Sequence, residues 1–114
     1  LYAGLNDVMF YIPPAFFQAE YLQLLTNLKQ AYPKAQVHCG TLILGEIPGT
    51  VNSLRGIIQR AEPYNAIIRQ AVAETGYHLV DLAALRGRYH ALDAFHPNRD
   101  GMAQLAQLWL RAMK

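Results

Sequence analysis

The stretch Asp93-Ala94-Phe95-His96-Pro97-Asn98 sets a carboxylate three residues before an imidazole. At that spacing the acid can reach one ring nitrogen and leave the other facing a cleft, which is what a general base needs. The carboxylate fixes the tautomer and stabilises the cation formed during turnover. Pro97 restricts His96 to extended backbone and stiffens the base. Taken alone, Asp-x-x-His is a common spacing, served equally by an aspartate that only caps a turn. At the other end of the chain, Gly4-Leu5-Asn6-Asp7 carries a side-chain amide. Asn6 either donates to a developing oxyanion, a contact worth about 3 kcal/mol, or closes an Asx-turn.

Such chemistry needs a nucleophile. Ser53 is the only serine and Cys39 the only cysteine. Ser53 follows a loop and reads better as a helix N-cap than as an attacking group. Cys39 lies within an apolar run, where burial raises a thiol's pKa and makes it inert. A single cysteine forms no disulfide within the chain and no Cys-based zinc site, and leans toward a reducing compartment. His38 and His78 fall on expected strands and His90 in a loop, without the spacing of a ligand set, so neither a metal nor a cofactor is expected.

The elements that must position these residues alternate. Leu1-Tyr2-Ala3-Gly4 is the tail of a strand, with Asn6 and Asp7 as loop and cap residues. Pro13-Pro14 introduces a helix over 15–32, with Phe17, Tyr21, Leu24, Leu25, Leu28 and Tyr32 on one face and Pro33 as its stop. The run 36–44 is nearly all apolar, as in a parallel strand covered on both faces. A loop through Gly45, Pro48 and Gly49 leads to a short helix over 54–60, capped by Asn52 or Ser53. Pro63 then starts a separate helix over 64–75, whose apolar face is Tyr64, Ile67, Ile68, Ala71 and Val72, with Gly76 as C-cap. A strand at 77–82 and a connection over 83–95 lead to a last helix. Asn98 caps that helix, and its apolar face is Met102, Leu105, Ala106, Trp109 and Met113. Strand–helix alternation of this kind means an α/β fold with a parallel sheet and helices on both faces.

At 114 residues the chain fits one domain, and 53% hydrophobic against 16% charged residues excludes disorder. A net charge of +2 with scattered Arg and Lys is no nucleic-acid footprint. There is no apolar run of transmembrane length and no visible signal peptide, and the compartment stays open. Three strands make a thin sheet, and the chain opens abruptly on an apolar strand-like segment, so further residues are expected upstream.

Together the two polar stretches resemble two conserved blocks of the SGNH, or GDSL-type, serine hydrolases. Gly4-Leu5-Asn6-Asp7 is similar to the third block, and Asp93-Ala94-Phe95-His96-Pro97 to the fifth. The resemblance implies a three-layer α/β/α, flavodoxin-like parallel sheet, of which residues 1–114 are the C-terminal part of a single domain. It makes His96 the general base, Asp93 its orienting acid, Asn6 an oxyanion-hole donor and Asp7 a structural brace. It also implies hydrolysis of an ester or thioester by a serine in a Gly-Asp-Ser block, which is expected before Leu1 or on another chain. In that family the loop after the second strand shapes the substrate pocket. Ile47, Pro48 and Val51, with Leu92 and Phe95, then line an acyl site or make ordinary loop contacts. The aromatic Met9-Phe10-Tyr11-Ile12 packs on the first helix or on an upstream part. A second reading is a non-catalytic subunit that associates through an open sheet edge. A nucleotide-binding domain is disfavoured, since Gly45-Glu46-Ile47-Pro48-Gly49 makes a poor phosphate cradle.

Overall fold

A computed structural model describes residues 1–48, 55–85, 88–93 and 95–113. Helix α1 spans Leu5–Met9 and helix α2 Pro14–Ala31. Strand β1 is His38–Gly40, helix α3 Arg55–Thr75 and strand β2 His78–Val80. A 3₁₀ turn at Ala83–Leu85 precedes helix α4, Arg99–Ala112.

The strands β1 and β2 pair in parallel, His38 with His78, Cys39 with Leu79 and Gly40 with Val80. Leu1 extends the sheet on the other side of β1. Its N–H donates to His38 O (2.6 Å), and Gly40 N–H donates to Leu1 O (2.9 Å). That slanted alternation is the parallel pattern. The first segment therefore runs along β1 as expected, but Asn6 and Asp7 lie inside the short helix α1 rather than in a loop. Gly4 makes the corner at φ +127°, a conformation that side chains resist, with Phe17 and Leu42 packed against it.

Helices cover both faces of the sheet, which gives the three-layer α/β/α arrangement of an incomplete flavodoxin-like domain. One core joins Val8 of α1, Phe17, Tyr21 and Leu25 of α2, Cys39 and Leu42, and Ala61, Tyr64, Ile68, Ala71 and Val72 of α3. The other joins Ile43, Val80, Leu82, Tyr89 and Ala91 to Leu108 of α4. Burying each large side chain contributes about 1.5–3 kcal/mol relative to exposure.

Several expectations change. The two helices expected around Pro63 are one helix, with Pro63 inside it. Pro63 lacks an N–H and forfeits a helix bond. Ala61, Tyr64 and Ile68 are nonetheless buried in one row on both sides of it, so packing carries the helix through. The candidate caps Asn52 and Ser53, along with Gly49, Val51 and Leu54, lie outside the described residues, as does Gly87. Both strands are shorter than their apolar runs. Thr41 N–H still donates to Val80 O (3.0 Å), but the buried residues that follow leave the ladder, and side chains take over the hydrogen bonds of Leu42 and Ile43. Asn65 on α3 accepts from Leu42 N–H (2.7 Å) and donates to Leu42 O (3.0 Å). The Tyr2 hydroxyl meets both the N–H and the carbonyl of Ile43 (3.1 Å each).

The apolar face of α2 is borne out at Phe17, Tyr21 and Leu25, but Leu24 and Tyr32 are exposed, and Tyr32 serves as the helix's C-cap. On α4 the face is rotated. Gly101 and Leu108 are buried and Leu105, Trp109 and Ala112 partly so, while Met102, Ala106 and Met113 are exposed. The reason is steric. Gly101 abuts the chain at His90, where an added Cβ would fall 1.9 Å from the carbonyl oxygen. The Trp109 ring similarly covers Gly40.

Candidate active site

The last connection is a short loop hung from the extension of β1. Glu46 N–H donates to Tyr89 O (2.8 Å) and Ala91 N–H to Glu46 O (2.7 Å). Ala91 and Pro97 then close an antiparallel bridge, and Leu92 N–H donates to His96 O (2.8 Å). Gly45 permits this approach, because a side chain there would collide with Ala91 and with the Tyr89 ring. Helix α4 grips the same strand from below. The N–H of Asn98 donates to His90 O (3.0 Å), and His90 N–H donates to the Gln104 side chain (2.7 Å). Asn98 caps α4 as the sequence predicts, accepting from Gly101 N–H at 2.8 Å.

Within this loop Asp93 and His96 meet. Asp93 Oδ2 lies 2.6 Å from His96 Nδ1, and Oδ1 accepts the backbone N–H groups of His96 (2.8 Å) and Phe95 (3.0 Å). Asp93 is therefore both a turn cap and an imidazole partner, the two readings that the spacing left open. The His96 N–H and imidazole, followed by the Phe95 N–H, hold the Asp93 carboxyl well below the usual range, at about 2. Among the described residues, His96 Nε2 has no hydrogen-bond partner, and the His96 and Asp93 side chains are 78% and 52% exposed. An imidazole held by a carboxylate on one nitrogen and open on the other is poised to take a proton from a group brought to it.

Asn6 lies at the same end of the sheet, since the segment from Leu1 runs parallel to β1 and leaves at its carboxyl end. It sits on α1, exposed, and among the described residues its amide has no hydrogen-bond partner. Helix α3 holds α1 in place. The Arg60 guanidinium donates to Val8 O (3.1 Å) and stacks 4.1 Å from the Tyr11 ring centroid, and the Tyr64 hydroxyl donates to Ile12 O. Phe10 and Tyr11 are 74% and 71% exposed, so this aromatic stretch does not pack on α2. The Asp7 carbonyl, within α1, accepts from Ile12 N–H (3.0 Å).

Ile47 and Pro48 follow Glu46, the residue that anchors the His96 loop, and both are exposed. Phe95 is half-buried and Leu92 is 71% exposed. Cys39 is fully buried, and burial pushes its thiol up, as befits a core residue. His38 and His78 stack with ring centroids 4.7 Å apart at the amino ends of the strands, away from the loop.

Tyr89, Arg69 and Asp81 carry no signal in the sequence. Tyr89 donates to Phe95 O at 2.7 Å. Arg69 forms a two-point ion pair with Asp81 (3.0 and 3.1 Å), whose carboxylate also accepts from Thr41 (3.0 Å). Burial works to raise the Asp81 pKa, but the bonds from Arg69 and Thr41 outweigh it and leave it lowered. Asn65 did leave a signal: it is a polar residue on the apolar row Ala61, Ile68, Val72.

Fold and loop together make an α/β architecture with a hydrogen-bonded aspartate–histidine pair at the sheet's carboxyl end. LAE5, an alpha/beta hydrolase enzyme from the metagenome of Lake Arreo, Spain, is similar in fold, with a TM-score of 0.68 at 23% identity. The similarity covers 98% of this chain and 57% of LAE5, so the chain spans little more than half the length of that neighbour. No curated protein matches it. Residues 1–104 match the GDSL-like Lipase/Acylhydrolase family, to which this chain belongs.

Proposed function

We propose that residues 1–114 form part of a single SGNH-type domain and supply the base, the acid and one oxyanion donor of a serine-dependent ester or thioester hydrolase. The observation that carries this reading is the His96 imidazole, bound through Nδ1 to a fixed carboxylate and open at Nε2. A serine from outside these residues gives its proton to His96 Nε2 as its oxygen attacks the acyl carbon. Asn6 donates to the resulting oxyanion. The leaving alcohol or thiol takes the proton from Nε2, and water then releases the acyl group by the same route. Ile47, Pro48 and Phe95 line the acyl side.

Labelling with a fluorophosphonate, followed by peptide mapping of the whole protein, tests the arrangement. The label is expected on a serine outside residues 1–114 and is expected to vanish with His96→Ala. That substitution should also cut hydrolysis of a chromogenic ester by several orders of magnitude. Label on Ser53, or turnover untouched by His96→Ala, overturns the reading. Absence of both label and turnover favours the alternative, a non-catalytic subunit that pairs through the outer edge of the Leu1 segment.

A further inference from the structure

We propose that Tyr89 is a positioning residue for His96, its hydroxyl fixing the Phe95–His96 peptide plane and hence the direction in which the imidazole projects. This rests on His96 acting as the base.

The peptide unit between Phe95 and His96 is planar, so holding its two polar ends fixes its rotation. Tyr89 holds one end, its hydroxyl donating to Phe95 O at 2.7 Å. Asp93 holds the other, its Oδ1 accepting His96 N–H at 2.8 Å. The remainder of the loop is closed by the Ala91–Pro97 bridge and the Leu92–His96 bond. A tilt of the 95–96 plane would swing the Cα–Cβ bond of His96.

The two clamps differ in footing. Asp93 is itself exposed and belongs to the same surface loop as His96. Tyr89 is 1% exposed and packs in the core with Val80, Leu82 and Leu108. Its ring lies so close to Gly45 that an added Cβ there would fall 2.7 Å from Cε2. Its carbonyl is also fixed, by Glu46 N–H. A surface acid–base pair is thereby aligned from beneath by a residue that cannot shift. Burial pushes the tyrosine hydroxyl up, so it keeps its proton and remains a donor at any working pH.

The test is Tyr89→Phe in the serine-bearing enzyme, which keeps the ring and removes one donor. We expect kcat to fall about five- to tenfold with KM unchanged, the scale of one lost hydrogen bond. Amide exchange at His96 should accelerate by a similar factor, while exchange at Ile68, in the opposite core, stays as in the wild type. Wild-type kcat with unchanged His96 exchange overturns the proposal. If Tyr89→Phe does not fold, 4-aminophenylalanine at this position restores a donor and is expected to retain wild-type kcat; a loss there also overturns it. His96→Ala run alongside separates the two ideas. Activity that survives His96→Ala refutes the base assignment, whereas activity lost with His96→Ala but kept with Tyr89→Phe refutes only the clamp.

Discussion

Asp93 spends its two oxygens differently, one on the loop backbone and one on the imidazole, and the two uses separate under mutation. Asp93→Asn retains an acceptor for the backbone N–H groups but presents a neutral amide to His96. Ester hydrolysis should then lose most of its rate, with the fold intact by circular dichroism. A rate near wild type would reduce Asp93 to a turn residue. The depressed carboxyl also sets a pH window. A carboxyl whose folded pKa lies below its unfolded value adds stability that is present above the unfolded value and is lost as pH falls through the folded one. The Asp93 contribution should thus persist to the acid side of pH 4 and vanish around pH 2, which carboxyl-carbon NMR would report as a midpoint near 2. The pair was legible in the sequence because three residues of separation decide the contact. Tyr89 was not, since its role depends on burial that only the β1 extension creates.

Among the elements, α4 does most to fix the loop, and it does so at its first turn. Gly101→Ala would drive a methyl into the His90 carbonyl oxygen, 1.9 Å from the ideal Cβ position. Either the helix or the strand must retreat. We expect a loss of about 3 kcal/mol in urea unfolding, at the upper end of overpacking costs, together with reduced ester turnover. A variant as stable and active as the wild type would show that the contact relaxes freely. The position of α4 and its cap at Asn98 could be read from the sequence, but its buried face could not. Met102 and Met113 advertise an apolar stripe, yet the small residue at 101 decides which side approaches the chain. The same local reading broke α3 at Pro63, because one missing hydrogen bond is visible in sequence and a long row of buried contacts is not. It also overextended the strands, since apolar runs report burial rather than pairing.

Across the molecule, two cores meet through the sheet, and buried polar groups tie the larger one to the chain beyond β1. Asn65, 1% exposed, is one of these. Asn65→Leu fits the space but strands the N–H and carbonyl of Leu42, and should cost about 2–4 kcal/mol in chemical denaturation, since two buried groups lose their partners. A change below about 0.5 kcal/mol would mean that Leu42 finds other partners. Strand–helix alternation was enough to predict the layers. It was silent about how β1 is continued past Gly40, where α3 and Tyr2 take the place of a neighbouring strand.

That substitution of a side chain for a strand constrains what position 65 can accept. Its occupant must offer a donor and an acceptor on one flat group, at one fixed reach, to a single peptide. Aspartate offers no donor, serine and threonine offer a single atom, and glutamine is a methylene too long. In a saturation library selected for folding, position 65 should therefore retain asparagine almost alone, while the apolar positions around it drift freely among residues of similar volume.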